Sequence, residues 1–211
     1  MENKIVITIA RQFGSGGREI GNRLSEILGI PLYDRELITA AAEAGNLHPE
    51  VAEKADEKAA SSLLYTLAMG SNIFTSHGAG LSLPVNDRLY LLQSDFIREK
   101  AAEGSCIIVG RCADHILKDN PNRFSVFVYA PLSVRRRRVT ERHPELSENG
   151  ALELINKTDK RRATYYNFYT GGKWGKYENY QIALDSGALG IEGTATLLAD
   201  AVRRFTEKTN R

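Results

Sequence analysis

The chain has 211 residues, 28 basic and 26 acidic, for a formal net charge of +2, and 42% of its residues are hydrophobic. That length and balance suit one domain with a sizeable core and exclude a disordered chain, while near-neutrality gives no electrostatic reason to expect DNA or RNA as a partner. The two cysteines, Cys106 and Cys112, are accompanied by no second pair and no histidine cluster. Neither a zinc site nor a disulfide framework is therefore expected, and no apolar run approaches the roughly 18 residues of a membrane span, which predicts a cytoplasmic protein.

In chain order, the first element carries the most information. Residues 5–10, Ile-Val-Ile-Thr-Ile-Ala, read as a buried strand that runs into Gly14, Ser15, Gly16 and Gly17 and then into an amphipathic helix over 19–28. Glycines admit positive φ and let backbone N–H groups approach an anion, and a helix N-terminus adds partial positive charge. The familiar phosphate loop, G-x-x-x-x-G-K-[ST], sets a lysine on the β- and γ-phosphates and a hydroxyl on magnesium. Here Gly14-Ser15-Gly16 is followed instead by Gly17, Arg18 and Glu19. A tight βα turn would need fewer anion-binding groups than three glycines, Ser15 and Arg18 supply, so the segment is expected to form a phosphate cradle.

Residues 30–33 suggest a short second strand, and 34–44 a helix opened by Asp34, a residue type that also caps helices well. A helical insertion follows at about 44–86, with a Gly/Ser-rich loop over 70–84 that reads as a substrate-side cap or as a plain connector. A helix over 87–102 leads to a strand over 106–109, which ends at Gly110-Arg111. After a strand over 124–130 comes a helix over 132–142 bearing Arg135, Arg136, Arg137 and Arg138. Successive helical residues are about 100° apart, so at most one or two of these can enter a site, leaving the others solvated or paired. Beyond a break at 144–150, Asp159-Lys160-Arg161-Arg162 falls on a further helix, followed by the aromatic group Tyr165, Tyr166, Phe168, Tyr169 and Trp174, suited to packing or to stacking on a base. The last strand, 180–184, runs into Asp185-Ser186 and a helix over 191–205. Strands alternating with helices predict an α/β fold, a doubly wound parallel sheet whose ligand crevice lies at the carboxyl ends of its strands.

Taken together, the segments Ala10 to Gly21, Tyr33 to Ile38, Ile108 to Arg111, Tyr166 to Gly171 and Leu184 to Ser186 resemble the cytidylate kinase-like family of P-loop nucleoside monophosphate kinases, over nearly the whole chain. The resemblance implies a single P-loop kinase-type domain, with an acceptor-side helical insertion at about 44–86 and a mobile arginine-bearing lid at about 133–172. It implies ATP-dependent phosphoryl transfer to a nucleoside monophosphate, CMP or dCMP, with ATP and Mg²⁺ as cofactors; separately, the dense aromatic group at 165–174 suits a lid or a subunit contact, the latter pointing to a homodimer. By position, Gly14, Ser15, Gly16, Gly17 and Arg18 resemble the ATP phosphate loop, Arg111 the arginine that grips the acceptor phosphate, and Arg161 and Arg162 the lid arginines. Asp34 and Asp185 fall where similar kinases hold substrate, although each also suits a helix cap or turn.

The chain departs from the family pattern at its loop, where the phosphate lysine and the magnesium hydroxyl are missing, and around Arg111, where flanking acidic residues are missing. Arg18 is the candidate to replace the lysine's charge, and Ser15 or Glu19 to approach Mg²⁺ directly or through water. The alternatives are a kinase of the same fold for another small acceptor, and a nucleotide-binding sensor that has lost turnover.

Overall fold

The computed structural model describes residues 4–34 and 85–209. The chain forms two compact units, one of residues 1–34 with 97–211 and one of residues 35–96. Of the second, the described part is the beginning of the helix Val85–Glu103. The insertion expected at 44–86 and the helix expected after Asp34 fall almost wholly outside the described residues.

The first unit is built on a parallel sheet of β1 (Val6–Arg11), β2 (Leu32–Tyr33), β3 (Cys106–Val109), β4 (Arg123–Tyr129) and β5 (Ile182–Asp185), in the order β2-β3-β1-β4-β5. The described α-helices are α1 (Gly17–Leu28), α2 (Val85–Glu103), α3 (Ala113–Ile116), α4 (Leu132–Arg142), α5 (Glu148–Thr170) and α6 (Ser186–Thr209), with a short 3-10 turn at Tyr177–Asn179. β1 is central because it is buried on both faces, as a strand covered by helices on either side must be: Val6, Ile7, Ile9 and Ala10 are apolar, and the buried Thr8 hydroxyl donates to Ser125 Oγ at 2.8 Å. Ile7 and Ile9 are fully buried, and they join Ile20 and Leu24 of α1 with Leu198 and Val202 of α6 in the main core. Burying each such side chain contributes about 1.5–3 kcal/mol.

Register decides where the site forms. Ile9 stands level with Val109 on β3 and with Val126 on β4. The ladder continues just beyond the strands, with the Gly110 N–H donating to Ile9 O and the Gln12 N–H to Val128 O, each at 3.0 Å. The glycine turn after β1 and the Gly110-Arg111 turn after β3 therefore emerge side by side at the carboxyl edge of the sheet. There β1 is flanked by strands reached in opposite directions, the crevice position of a doubly wound sheet.

Most expected elements appear within a residue or two of their predicted limits, and Leu132–Arg142 appears at the limits predicted. The last strand starts at Ile182 rather than 180 because the preceding residues are otherwise engaged. Tyr180 packs on Phe127 with ring centroids 5.1 Å apart. The Gln181 side-chain oxygen accepts the Ser125 N–H at 2.6 Å, while the Gln181 backbone N–H donates to Ser125 O at 2.9 Å. The final helix begins at Ser186 and is broken at Gly190, which has φ 69°. Both cysteines are free and buried, and burial pushes the Cys106 thiol up to about 11.

Candidate functional site

β1 hands the chain to α1 through a turn that only glycine fits at two points. Gly14 and Gly16 have φ of 76° and 79°. A Cβ on Gly14 would lie 2.9 Å from Arg135 O, and one on Gly16 2.2 Å from Ile191 Cδ1. α1 begins at Gly17 with no side-chain cap on its N-terminal N–H groups, so the first turn retains donors for an anion. Ser15 is fully buried, and its hydroxyl donates at 2.8 Å to Gln12 O. This hydroxyl staples the turn from within, whereas the sequence suggested a magnesium contact. Glu19, the other residue considered for magnesium, is ion-paired with Arg142 of α4.

Helices α4 and α5 hold the turn from behind. Of the four successive arginines, Arg135 and Arg138 face inward one helical turn apart, while Arg136 and Arg137 are exposed and pair with Glu148 and Glu141. Arg135 donates to Ala130 O at 3.1 Å, to Phe13 O at 3.4 Å and to Asp159 Oδ2 at 2.7 Å. Asp159 Oδ1 in turn accepts the Phe13 N–H at 2.7 Å. Arg138 donates to Ser15 O at 2.9 Å and to both Ser186 Oγ and Ser186 O at 3.0 Å, and burial lowers its pKa. The Ser186 hydroxyl donates to Ser15 O. These arginines fix loop carbonyls, a structural use that their sequence spacing alone could not distinguish from ligand binding.

Other arginines gather at the carboxyl end of the sheet. Arg11 ends β1, Arg111 follows β3, and Arg162 comes from α5. Arg162 donates to Arg11 O at 2.9 Å and lies 5.7 Å from the centroid of the Phe13 ring. Burial, aided by the positive charges of Arg11 and Arg111, lowers the Arg162 guanidinium to about 9, opposed by Asp159 and Asp34. It remains ionised at neutral pH. The expected lid arginine is thus already seated against the loop, with Arg161 half-buried next to it on α5. Asp34 binds two cations at once, Arg11 at 3.5 Å and Arg18 at 3.4 Å. Arg18 itself is 62% exposed, at the rim.

The turn bearing Arg111 is strained. Gly110, Arg111 and Cys112 have φ of 84°, 56° and 56°, and the left-handed region costs a non-glycine residue on the order of 1–3 kcal/mol. Such strain persists where surrounding structure enforces it. Behind the turn, buried Asp114 accepts the Tyr166 hydroxyl at 2.7 Å, and burial raises the Asp114 pKa although this bond opposes the shift. The rest of the aromatic group packs locally: Trp174 meets Phe127 edge-on at 5.5 Å, and Tyr169 lies 4.8 Å from both Tyr165 and Phe168. Asp185, expected near substrate, accepts the Gly187 N–H at 2.7 Å and so caps the start of α6.

Sequence reasoning missed Arg11 and Asp159 as site residues. Arg11 reads as the polar end of a strand and Asp159 as one charge in a basic cluster; only their long-range partners reveal what they do. Among the described residues no three His, Cys, Asp or Glu side chains gather as a metal-binding group, and no helix is long and apolar enough to cross a membrane.

A parallel β2-β3-β1-β4-β5 sheet with a glycine turn between its central strand and α1 defines a P-loop kinase-type α/β protein. The chain belongs to the cytidylate kinase-like family, whose model matches residues 6–188. A cytidylate kinase of Methanococcus aeolicus is 29% identical over 106 residues, which span 49% of this chain and 59% of that relative. The chain thus matches rather more than half the length of this curated relative. The crystal structure of an uncharacterized protein from Eubacterium ventriosum is 30% identical with a TM-score of 0.69, covering 95% of this chain and 99% of that one. A shikimate kinase of Bacteroides thetaiotaomicron shares the fold at 13% identity and a TM-score of 0.54, over 95% of this chain and 99% of that one. A gluconokinase of Sinorhizobium meliloti shares it at 15% identity and 0.52, over 99% and 97%.

Proposed function

We propose that this protein transfers the γ-phosphoryl group of ATP to a nucleoside monophosphate, CMP or dCMP. The observation that carries this reading is the gathering of Arg11, Arg111 and Arg162 beside an uncapped helix N-terminus, with Asp34 and Asp159 as the acidic groups acting on Arg162. Guanidinium groups present planar forks of donors that match the oxygens of phosphate groups. The preference for CMP is supported by the family and by the relative named a cytidylate kinase.

ATP supplies the phosphoryl group. The backbone of Gly14 to Gly17 and the first turn of α1 hold the donor phosphates, and Arg111 orients the acceptor phosphate so that its oxygen is in line for attack. Arg162, with Arg161 next to it in sequence, neutralises charge that develops on the transferring group. No side-chain nucleophile is required. Asp34 orients the arginines rather than the base, and Asp185 acts through the start of α6. The described residues do not fit a ready-made Mg²⁺ site, because Ser15 is turned inward and Glu19 is bound to Arg142.

The test is incubation of the full chain with ATP, Mg²⁺ and CMP, following CDP and ADP by anion-exchange chromatography. Formation of both products supports the reading; no turnover of any common nucleoside monophosphate sinks it. Val109-Gly110-Arg111-Cys112 lacks acidic residues flanking the arginine, which favours as a second reading the same transfer to another small acceptor, found by screening acceptors for ADP release. Saturable ATP binding with no ADP release from any acceptor would instead identify a nucleotide sensor.

A further inference from the structure

We infer that Arg11 supplies the phosphate-binding cation for which a glycine loop ordinarily uses lysine, its side chain crossing the turn through the space that Gly17 leaves empty. The inference rests on the phosphate-site reading above. When the pattern G-x-x-x-x-G-K-[ST] is laid on this chain with Gly16 as its second glycine, the first glycine falls at position 11 and the lysine at position 17. This chain has Arg11 and Gly17 there. The glycine and the cation have exchanged places.

The geometry makes the exchange reciprocal. A Cβ on Gly17 would lie 2.6 Å from Arg11 Cβ and 2.8 Å from Arg11 Cγ, so a side chain at position 17 and the present course of Arg11 are mutually exclusive. Further along, Arg11 Nη1 lies 2.2 Å from the point where a Cβ on Gly110 would sit, and Nη2 lies 3.5 Å from Asp34 Oδ1. The stem therefore rests on the donor loop and the guanidinium rests on the residue before Arg111. That course places a planar, permanently charged donor between the two phosphate-binding elements. Arg18, the candidate suggested by sequence, approaches Asp34 with a guanidinium that is largely in solvent. Asp34 holds both arginines with a carboxylate, the kind of partner for which a phosphate oxygen substitutes.

The experiment measures ATP affinity in the presence of Mg²⁺ by isothermal titration calorimetry on the full chain, with circular dichroism melts to confirm that each variant is folded. Arg11→Gln is expected to weaken binding by about tenfold or more, and Arg18→Gln by less than about threefold. Arg11→Lys, which keeps the charge, should retain most of the affinity and guards against a mere folding effect. Gly17→Lys alone should abolish tight binding, whereas Arg11→Gly combined with Gly17→Lys should bind more tightly than Arg11→Gly alone. Wild-type affinity in Arg11→Gln, or a larger loss in Arg18→Gln, would overturn the assignment while leaving the phosphate site intact. Failure of the wild-type chain to bind ATP would overturn the site reading and this inference together.

Discussion

Asp159 Oδ1 accepts the Phe13 N–H at 2.7 Å across 146 residues of sequence, while its Oδ2 accepts Arg135 at the same distance. One carboxylate thereby ties the backbone of the glycine turn, α4 and α5 into a single piece. The turn's shape is consequently set by helices far along the chain as well as by its own glycines.

Asp159→Ala removes both bonds and leaves the Arg135 guanidinium, which is 11% exposed, with a missing counter-charge. A fully buried broken pair costs about 3–5 kcal/mol; partial exposure reduces this to roughly 2–3 kcal/mol. Urea unfolding should show that loss. A change below about 0.5 kcal/mol would mean the clasp contributes nothing to the fold.

Arg138 binds Ser15 O, Ser186 Oγ and Ser186 O with one planar fork. Lysine cannot reproduce that arrangement, so Arg138→Lys should destabilise nearly as much as Arg138→Ala, by about 2 kcal/mol. Arg137→Ala, on the same helix but exposed, should change stability by less than about 0.5 kcal/mol. Equal effects at the two positions in thermal melts would refute the division of this arginine run into an inner and an outer face.

Gly110 has φ 84° and no room for a Cβ beside Arg11 Nη1. Gly110→Ala is expected to cost about 1–2 kcal/mol from backbone strain and to push the flexible Arg11 head aside. Its ATP affinity, measured by calorimetry at a temperature where the variant is folded, should fall by roughly tenfold. Unchanged affinity would show that Arg11 has no fixed place at the site.

Asp114 is buried and its pKa is raised by desolvation, with the Tyr166 hydrogen bond acting in the opposite direction. Above the unfolded-state pKa, the folded state retains the proton more strongly than the unfolded state does. Stability is therefore lost as pH rises through the interval between the two values, and the loss persists at neutral pH. Asp114→Asn keeps an oxygen to accept the Tyr166 hydroxyl and removes this cost. Its melting temperature should exceed that of the wild type at pH 7, with the difference shrinking toward pH 4. Tyr166→Phe should instead lose about 1–2 kcal/mol and move the Asp114 titration, followed by NMR, further upward.

The alternation of apolar strands and amphipathic helices, with a glycine cluster after the first strand, was enough by itself to establish a parallel α/β sheet and a glycine turn leading from its first strand into a helix. Periodicity and turn chemistry are local properties. The helical spacing of Arg135 to Arg138 likewise set a limit on how many could face inward. Which ones did, and toward what, was decided by the packing of α4 against a turn more than 100 residues away. The same holds for Arg11: nothing adjacent to it in sequence distinguishes it from Arg18. Its course follows from the register of β1 with β3, which brings Gly17 and Gly110 to either end of its side chain. Local sequence determined that a strand, a tight turn and a helix would follow one another. Only the tertiary structure chose which cations line the turn, because burial and charge proximity depend on strands and helices that meet across the whole fold.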